Sequence, residues 1–360
     1  MKLQFAPSRS RFHPRPGTRY GSLRIPAAVA TLLFAGTIPA LAVSCTTQAT
    51  MQPADRDSLV AAAAPMAASL ASQDLGVLQS SLLPSVSGEW DGIRSVAQGA
   101  APLFKGGAVH WRNIYLLDAT ELKAPADTEF FCTNADNTLT VTVNLRSLPP
   151  GRYGLLIGDS SSTPLAGQLG LILAADPATS SQWKLGGLFV REGALDGHDP
   201  VAFWSQARSL ATKKSAPPSW AAWYSYDVAR WLELPVDFIS TPNLEKLNKE
   251  QSLAGTNPAD SLPLTIAGST QAESASGAGK SWKITNIRLD TTLHVADLGI
   301  TYEGAGLTEP VAAKAEAVAV MSGLLKLHPD LRENFHGLWA YAQKDGKQTY
   351  AIEVAMHDIP

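Results

Sequence analysis

The sequence predicts an α+β, multi-domain chain: a helical N-terminal segment, an antiparallel β-sandwich, an α-helical hairpin and a C-terminal ββαββ module. Three observations carry this expectation. Leu59, Ala63, Met66 and Leu70 recur at three- and four-residue spacing, the period of one helix face. Short apolar runs separated by turn residues follow between positions 110 and 191, the rhythm of an antiparallel sandwich. A strand-strand-helix-strand-strand pattern closes the chain after a Gly/Ser-rich stretch. With 360 residues, 45% hydrophobic and 17% charged, the composition is too apolar for disorder and large enough for two or three cores.

Residues 1–44 read as an export leader. Lys2, Arg9, Arg11, Arg15, Arg19 and Arg24 precede an uncharged Ala/Leu-rich run from Ile25 to Val43, the basic and apolar regions of a signal peptide. No two arginines adjoin, so a twin-arginine signal is not expected. Cleavage after Ala42 fits the small-x-small site Ala40-Leu41-Ala42, while Ala42-Val43-Ser44-Cys45 resembles the lipobox of bacterial lipoproteins. That resemblance implies acylation at Cys45 and a membrane tether; simple secretion and an uncleaved anchor stay open beside it. If Cys45 is acylated, Cys132 is a small buried hydrophobe; if not, an oxidising compartment permits a Cys45–Cys132 disulfide. Removing the six leader cations leaves 23 basic against 32 acidic residues, about −9. No basic cluster with interleaved aromatics remains, so nucleic acid is not an expected partner.

Residues 45–108 form the helical segment, which Lys105-Gly106-Gly107 ends. The sandwich, residues 109–192, has strands over Trp111 to Leu117, Glu129 to Thr133, Thr138 to Leu145, Tyr153 to Ile157, Leu165 to Leu173 and Trp183 to Val190. Leu139, Val141, Val143 and Leu145 alternate with polar residues, and Leu148-Pro149-Pro150-Gly151 is a turn. A strand, Leu-Pro-Pro-Gly-x-Tyr and a second strand resemble the edge of immunoglobulin-like sandwiches of exported bacterial proteins. The resemblance covers about 80 residues and implies a fold without an activity.

Residues 193–254 carry the hairpin. Asp199-Pro200 starts one helix, with Asp as N-cap and Pro at its first position, and Phe203, Trp204, Ala207 and Leu210 lie on one face. A second helix runs from Ser219 to about Leu234, and a third follows Thr241-Pro242. Ala222, Tyr226 and Ala229, with Trp204 upstream, resemble one tetratricopeptide unit; a solenoid needs about three, so a hairpin packed on the sandwich is expected. Residues 255–280 read as a linker. In residues 281–360, Tyr350, Ile352, Val354 and Met356 supply a strand face, and Val311, Ala315, Val318, Ser322 and Leu325 a helix face to cover it.

Several motifs suggest chemistry. Leu155 to Ser160 resembles the nucleophile block of GDSL-type esterases, but that family's Asp-x-x-His is represented only by Asp290 and His294, one residue too far apart. Gly277-Ala278-Gly279-Lys280-Ser281 resembles the end of a P-loop without its first glycine, and a strand is expected where the phosphate-cradling helix is needed. His328-Pro329-Asp330 matches the J-domain tripeptide and reads as a helix stop. Asp196, His198 and Asp199 offer two carboxylates and an imidazole within four residues, but Asp199 is already assigned to capping, so no metal is expected there. No catalytic residue and no cofactor is assigned.

Aromatic density is the remaining signal: Phe203, Trp204, Trp220, Trp223, Tyr224, Tyr226 and Trp231 crowd two helices, more than one buried stripe holds. Trp204, Arg208, Trp220, Trp223, Tyr224, Arg230 and Trp231 are the candidate binding residues, since aromatic and arginine side chains dominate interfaces. The expected function is a non-enzymatic binding or structural role in the bacterial envelope, periplasmic or at the outer surface, lipid-anchored at Cys45, with a glycan or protein as partner. The alternative is an exported hydrolase using Ser160 or the Asp196/His198/Asp199 loop.

Overall fold

A computed structural model describes residues 43–161, 165–176, 178–179, 182–212, 219–268 and 279–360. Residues 1–42 of the leader and residues 269–278 of the Gly/Ser-rich stretch, including Gly277 and Ala278 of Gly277-Ala278-Gly279-Lys280-Ser281, lie outside the described residues. The fold is mixed α+β. Its centre is a five-stranded antiparallel sheet in the order β1-β2-β5-β6-β7, where β1 is Ser44–Thr47, β2 Val109–Asp118, β5 Arg152–Ser160, β6 Gly167–Ala175 and β7 Trp183–Glu192. The hairpin β3 (Ala126–Thr133) and β4 (Thr140–Leu148) leaves this sheet and pairs with β8 (Ile239–Ser240) in a second, three-stranded sheet.

The two sheets share a core of Tyr115, Leu117, Leu155 and Ile157 on one side and Phe130, Val141, Val143 and Leu145 on the other, an arrangement compatible with a β-sandwich. The Tyr153 hydroxyl donates to the Pro149 carbonyl at 2.7 Å and closes the Pro-Pro-Gly turn. Burial raises that hydroxyl to about 12.

The opposite face of the large sheet is also covered, which a simple sandwich does not require. Helix α1 (Pro53–Ser72) lays Leu59, Ala63, Met66 and Leu70 on it, the four residues of the sequence period, and α2 (Gly76–Ser80), α3 (Trp90–Gly99) and α4 (Ala101–Phe104) extend the cover. This explains β6, which is buried from Gly167 to Ala174: a strand with both faces packed reads as a continuous apolar run, whereas one face on water gives alternation.

Cys45 and Cys132 form a disulfide between β1 and β3, with Cα atoms 5.0 Å apart. This is the second of the two cysteine states that the sequence allows.

The hairpin helices are α5 (Pro200–Thr212) and α6 (Trp220–Glu233), followed by α7 (Pro242–Ala254). Asp199 Oδ1 accepts from the Ala202 amide at 2.8 Å, the predicted cap, and Thr241 Oγ1 caps α7 by accepting from the Leu244 amide at 3.2 Å. Helix α6 is tied at both ends by distant residues. Asp330 Oδ2 accepts from Ser219 Oγ at 2.8 Å and from the Ala221 amide at 3.0 Å. At the other end, Gln168 donates to the Leu232 carbonyl, Arg191 to Leu234 at 2.9 Å and Arg112 to Glu233 at 3.2 Å. These side chains satisfy the carbonyls that a helix end leaves without partners, and the two arginines oppose its negative pole.

The C-terminal sheet has the order β13-β12-β11-β10-β9, from β9 (Leu264–Gly268), β10 (Lys280–Asp290), β11 (Asp297–Glu303), β12 (Gly337–Lys344) and β13 (Lys347–Ala355). The β11–β12 pair is parallel and spanned by α8 (Pro310–Leu327), so the predicted ββαββ order forms with one strand added. That strand, and a turn at Pro258–Ser261, corrects the reading of residues 255–280 as linker throughout. Of the expected α8 face, Ser322 and Leu325 are buried, Ala315 and Val318 half-buried and Val311 exposed, and Ala313, Ala317, Val320, Met321 and Leu324 are buried beside them. Among the described residues no helix is long and apolar enough to cross a membrane.

Candidate functional site

A cleft of about 690 Å³ opens between α6, α7, the β8 segment and the outer end of β10. Helix α6 presents Trp223, Tyr224, Asp227, Arg230 and Trp231 to it at three- and four-residue spacing, β7 adds Arg191, β10 adds Arg288, and α7 adds Asn248 and Gln251. The walls are cross-braced. Arg230 Nη2 donates to Asp227 Oδ1 at 2.6 Å, and Gln251 Nε2 donates to the same oxygen at 2.8 Å and to the Trp223 carbonyl at 3.0 Å. Arg191 lies with its guanidinium carbon 3.9 Å from the Trp231 ring centroid and pairs with Asp237 at 2.9 Å. The indole Nε1 of Trp231 donates to Glu192 at 3.1 Å, and the other oxygen of Glu192 lies 3.0 Å from His294 Nδ1.

Burial pushes the Asp227 carboxyl above its ordinary range, against the opposing effects of Arg230 and Gln251. Burial also pushes the Tyr224 hydroxyl up. The cleft therefore combines aromatic faces, fixed guanidinium planes and amide groups, which suits recognition of a polar ligand with apolar faces.

Four of the seven candidate binding residues meet here: Trp223, Tyr224, Arg230 and Trp231. The other three do not line the cleft. Trp204 and Arg208 form a separate cluster on Glu250 of α7, the indole donating at 2.7 Å and the guanidinium forking onto both carboxylate oxygens at 2.7 and 2.8 Å. Trp220 is buried and stacked on His328, with ring centroids 3.6 Å apart. That stack, with Asp330 capping α6, occupies His328-Pro329-Asp330 structurally.

The Glu250 cluster sets an acid-limb prediction. The hydrogen bond from Arg208, with that from Trp204, holds its carboxyl down to about 2 from 4.5. A depressed carboxyl stabilises the fold above its unfolded value, and this contribution is lost as pH falls from about 4.5 toward 2. Glu250→Gln should flatten the dependence of urea stability on pH across that window and leave it unchanged above pH 6; an unaltered acid limb would remove the cluster's role.

The residues of the hydrolase alternative have these places in the fold. Ser160 is buried at the end of β5, where it pairs with Val109 of β2. His294 is engaged with Glu192, and Asp290 accepts from Thr292 and Tyr341. Asp196 accepts from the Ala296 amide at 2.9 Å, Asp199 caps α5, and His198 meets the Phe203 ring edge-on, so these three side chains face separate partners. Arg191, Arg288, Asn248 and Gln251 were not legible as site residues, because they come from three elements far apart in sequence; the charged pair Arg191-Glu192 ending an apolar strand was the one available signal. No family model matches the chain, and neither a curated protein nor a solved structure does.

Proposed function

We propose that this is an exported, non-enzymatic binding protein whose cleft takes a saccharide of the cell envelope. The observation that carries the reading is the meeting of Trp223, Trp231, Arg191, Arg230 and Arg288 around one cleft of about 690 Å³. Sugars offer C–H faces to aromatic rings and hydroxyl pairs to planar side chains such as Arg, Asp and Gln, and a braced cleft binds them without an ordering cost. Export is supported by the basic-then-apolar leader and by the Cys45–Cys132 disulfide, a bond that persists in oxidising compartments. On this reading the chain is cut ahead of Val43 and carries no lipid.

The test is a tryptophan-fluorescence titration of the mature protein with envelope oligosaccharides. At least one class should quench or shift the emission saturably. Trp223→Ala should weaken its binding by roughly 10-fold or more, the scale of an interface anchor. Silence across the panel, or an affinity unchanged in Trp223→Ala, would reject the saccharide reading; quenching by an envelope protein instead would replace the ligand class.

A further inference from the structure

One end of the C-terminal sheet holds a polar cluster that the cleft does not use. Asp297 at the start of β11, His336 just before β12 and Glu353 near the end of β13 bring one ligand atom each to within 4.8 Å of one another. The strand register makes this meeting: Trp339 pairs with Glu353 across β12–β13, and Leu298 with Leu338 across β11–β12.

Three features distinguish the cluster from an ordinary surface acidic patch. The Asp297 side chain is fully buried, and its Oδ2 makes no hydrogen bond of ordinary geometry, the Trp339 indole being the donor beside this carboxylate. Glu353 Oε1 is likewise buried and without a partner, and a buried carboxylate oxygen left unpaired is costly. Gly337 supplies the space: a Cβ placed there would lie 2.5 Å from Glu353 Oε1 and 3.0 Å from Asp297 Oδ1, so only glycine keeps the gap between the carboxylates open.

We propose that Asp297, His336 and Glu353 form a binding site for a divalent transition-metal ion of the zinc class. Two carboxylate oxygens and an imidazole nitrogen are a borderline donor set of the kind such ions take, with a fourth position left for water or a ligand. His336 Nδ1 lies 3.0 Å from Asp297 Oδ1, near the roughly 3.3 Å edge of a coordination tetrahedron with bonds of about 2.0 to 2.1 Å. On binding, Nδ1 turns from hydrogen-bonding Asp297 to donating its lone pair to the ion, and the ring proton resides on Nε2. His336 is partly exposed, with side-chain accessibility of 43%, which gives the ion a route from solvent. No metal was expected from the sequence, where His336 is separated from Asp297 by 39 positions.

The experiment is calorimetric titration of zinc into untagged, chelator-stripped protein, with thermal melting of every apo variant. One zinc per chain should bind wild type. His336→Ala and Glu353→Gln should each weaken it by more than the 10- to 100-fold that loss of an outer-shell partner costs, and Trp223→Ala should leave it unchanged. Glu353→Gln keeps the side chain's shape, so it reports on ligation even if His336→Ala melts early. Absence of stoichiometric zinc, as a proton shared between the two carboxylates would produce, overturns the site; so does binding that survives both substitutions.

Discussion

Cys132→Ala and Cys45→Ala should each lower the unfolding free energy by about 2 to 5 kcal/mol, as should reductant on the wild type. The bond joins residues 87 positions apart, for which the chain-entropy account gives about 4 to 5 kcal/mol. It also fastens β1, four residues that pair with β2 alone. Because the cystine links the large sheet to the β3–β4–β8 sheet, its loss should make the two sheets separate more readily. Urea melts with and without reductant measure the effect. The intact mass of the mature wild type should start at Val43, carry no lipid and be two hydrogens lighter than the reduced chain. A diacylglycerol mass on Cys45, or a reductant effect below about 1 kcal/mol, would reject the cystine as the mature state.

Leu59→Ala should cost about 3 kcal/mol, and Gly154→Ala about 1 to 3 kcal/mol, yet the double variant should cost little more than Leu59→Ala alone. Leu59 of α1 is fully buried over β5, where Gly154 lies beneath it. A methyl at Gly154 would overlap a Leu59 δ-carbon and stand 3.3 Å from both Cγ and the other δ-carbon. Alanine is otherwise the better strand residue by roughly 0.5 to 1 kcal/mol, so destabilisation by Gly154→Ala isolates the clash. Removing the leucine makes room for the new methyl, and the coupling should be about 1 to 2 kcal/mol. Denaturant melts of the four proteins give the cycle; simple additivity would mean that α1 does not dock on β5.

Much of the secondary structure was legible because its signals are local. The α1 face, the Asp199 cap and the alternation in β4 depend on neighbours within a few residues. Short pieces were not: β1, β8 and β9 have no period of their own and are strands because β2, β4 and β10 offer them free edges. The α8 face was legible only in part: Ser322 and Leu325 are buried as the period indicates, but small apolar residues surround that helix almost evenly and leave Ala313, Val320 and Leu324 unmarked. Its orientation is set by the sheet it covers more than by any stripe in its sequence.

The candidate site divides along the same line. That α6 carries too many aromatics for one buried face follows from composition and the helical period. Which of them are consumed by packing does not: Trp220 is taken by His328 and Trp204 by Glu250, while Trp223 and Trp231 reach the cleft. The sequence by itself determined the order of the longer elements and the helix that bears the aromatic residues, since these rest on local pattern. Only the tertiary structure decided that Cys45 meets Cys132, that Arg191 and Arg288 complete the cleft, and that Asp297, His336 and Glu353 converge. Each of those meetings depends on strand register and on helices anchored at both ends by distant side chains, which no local pattern encodes.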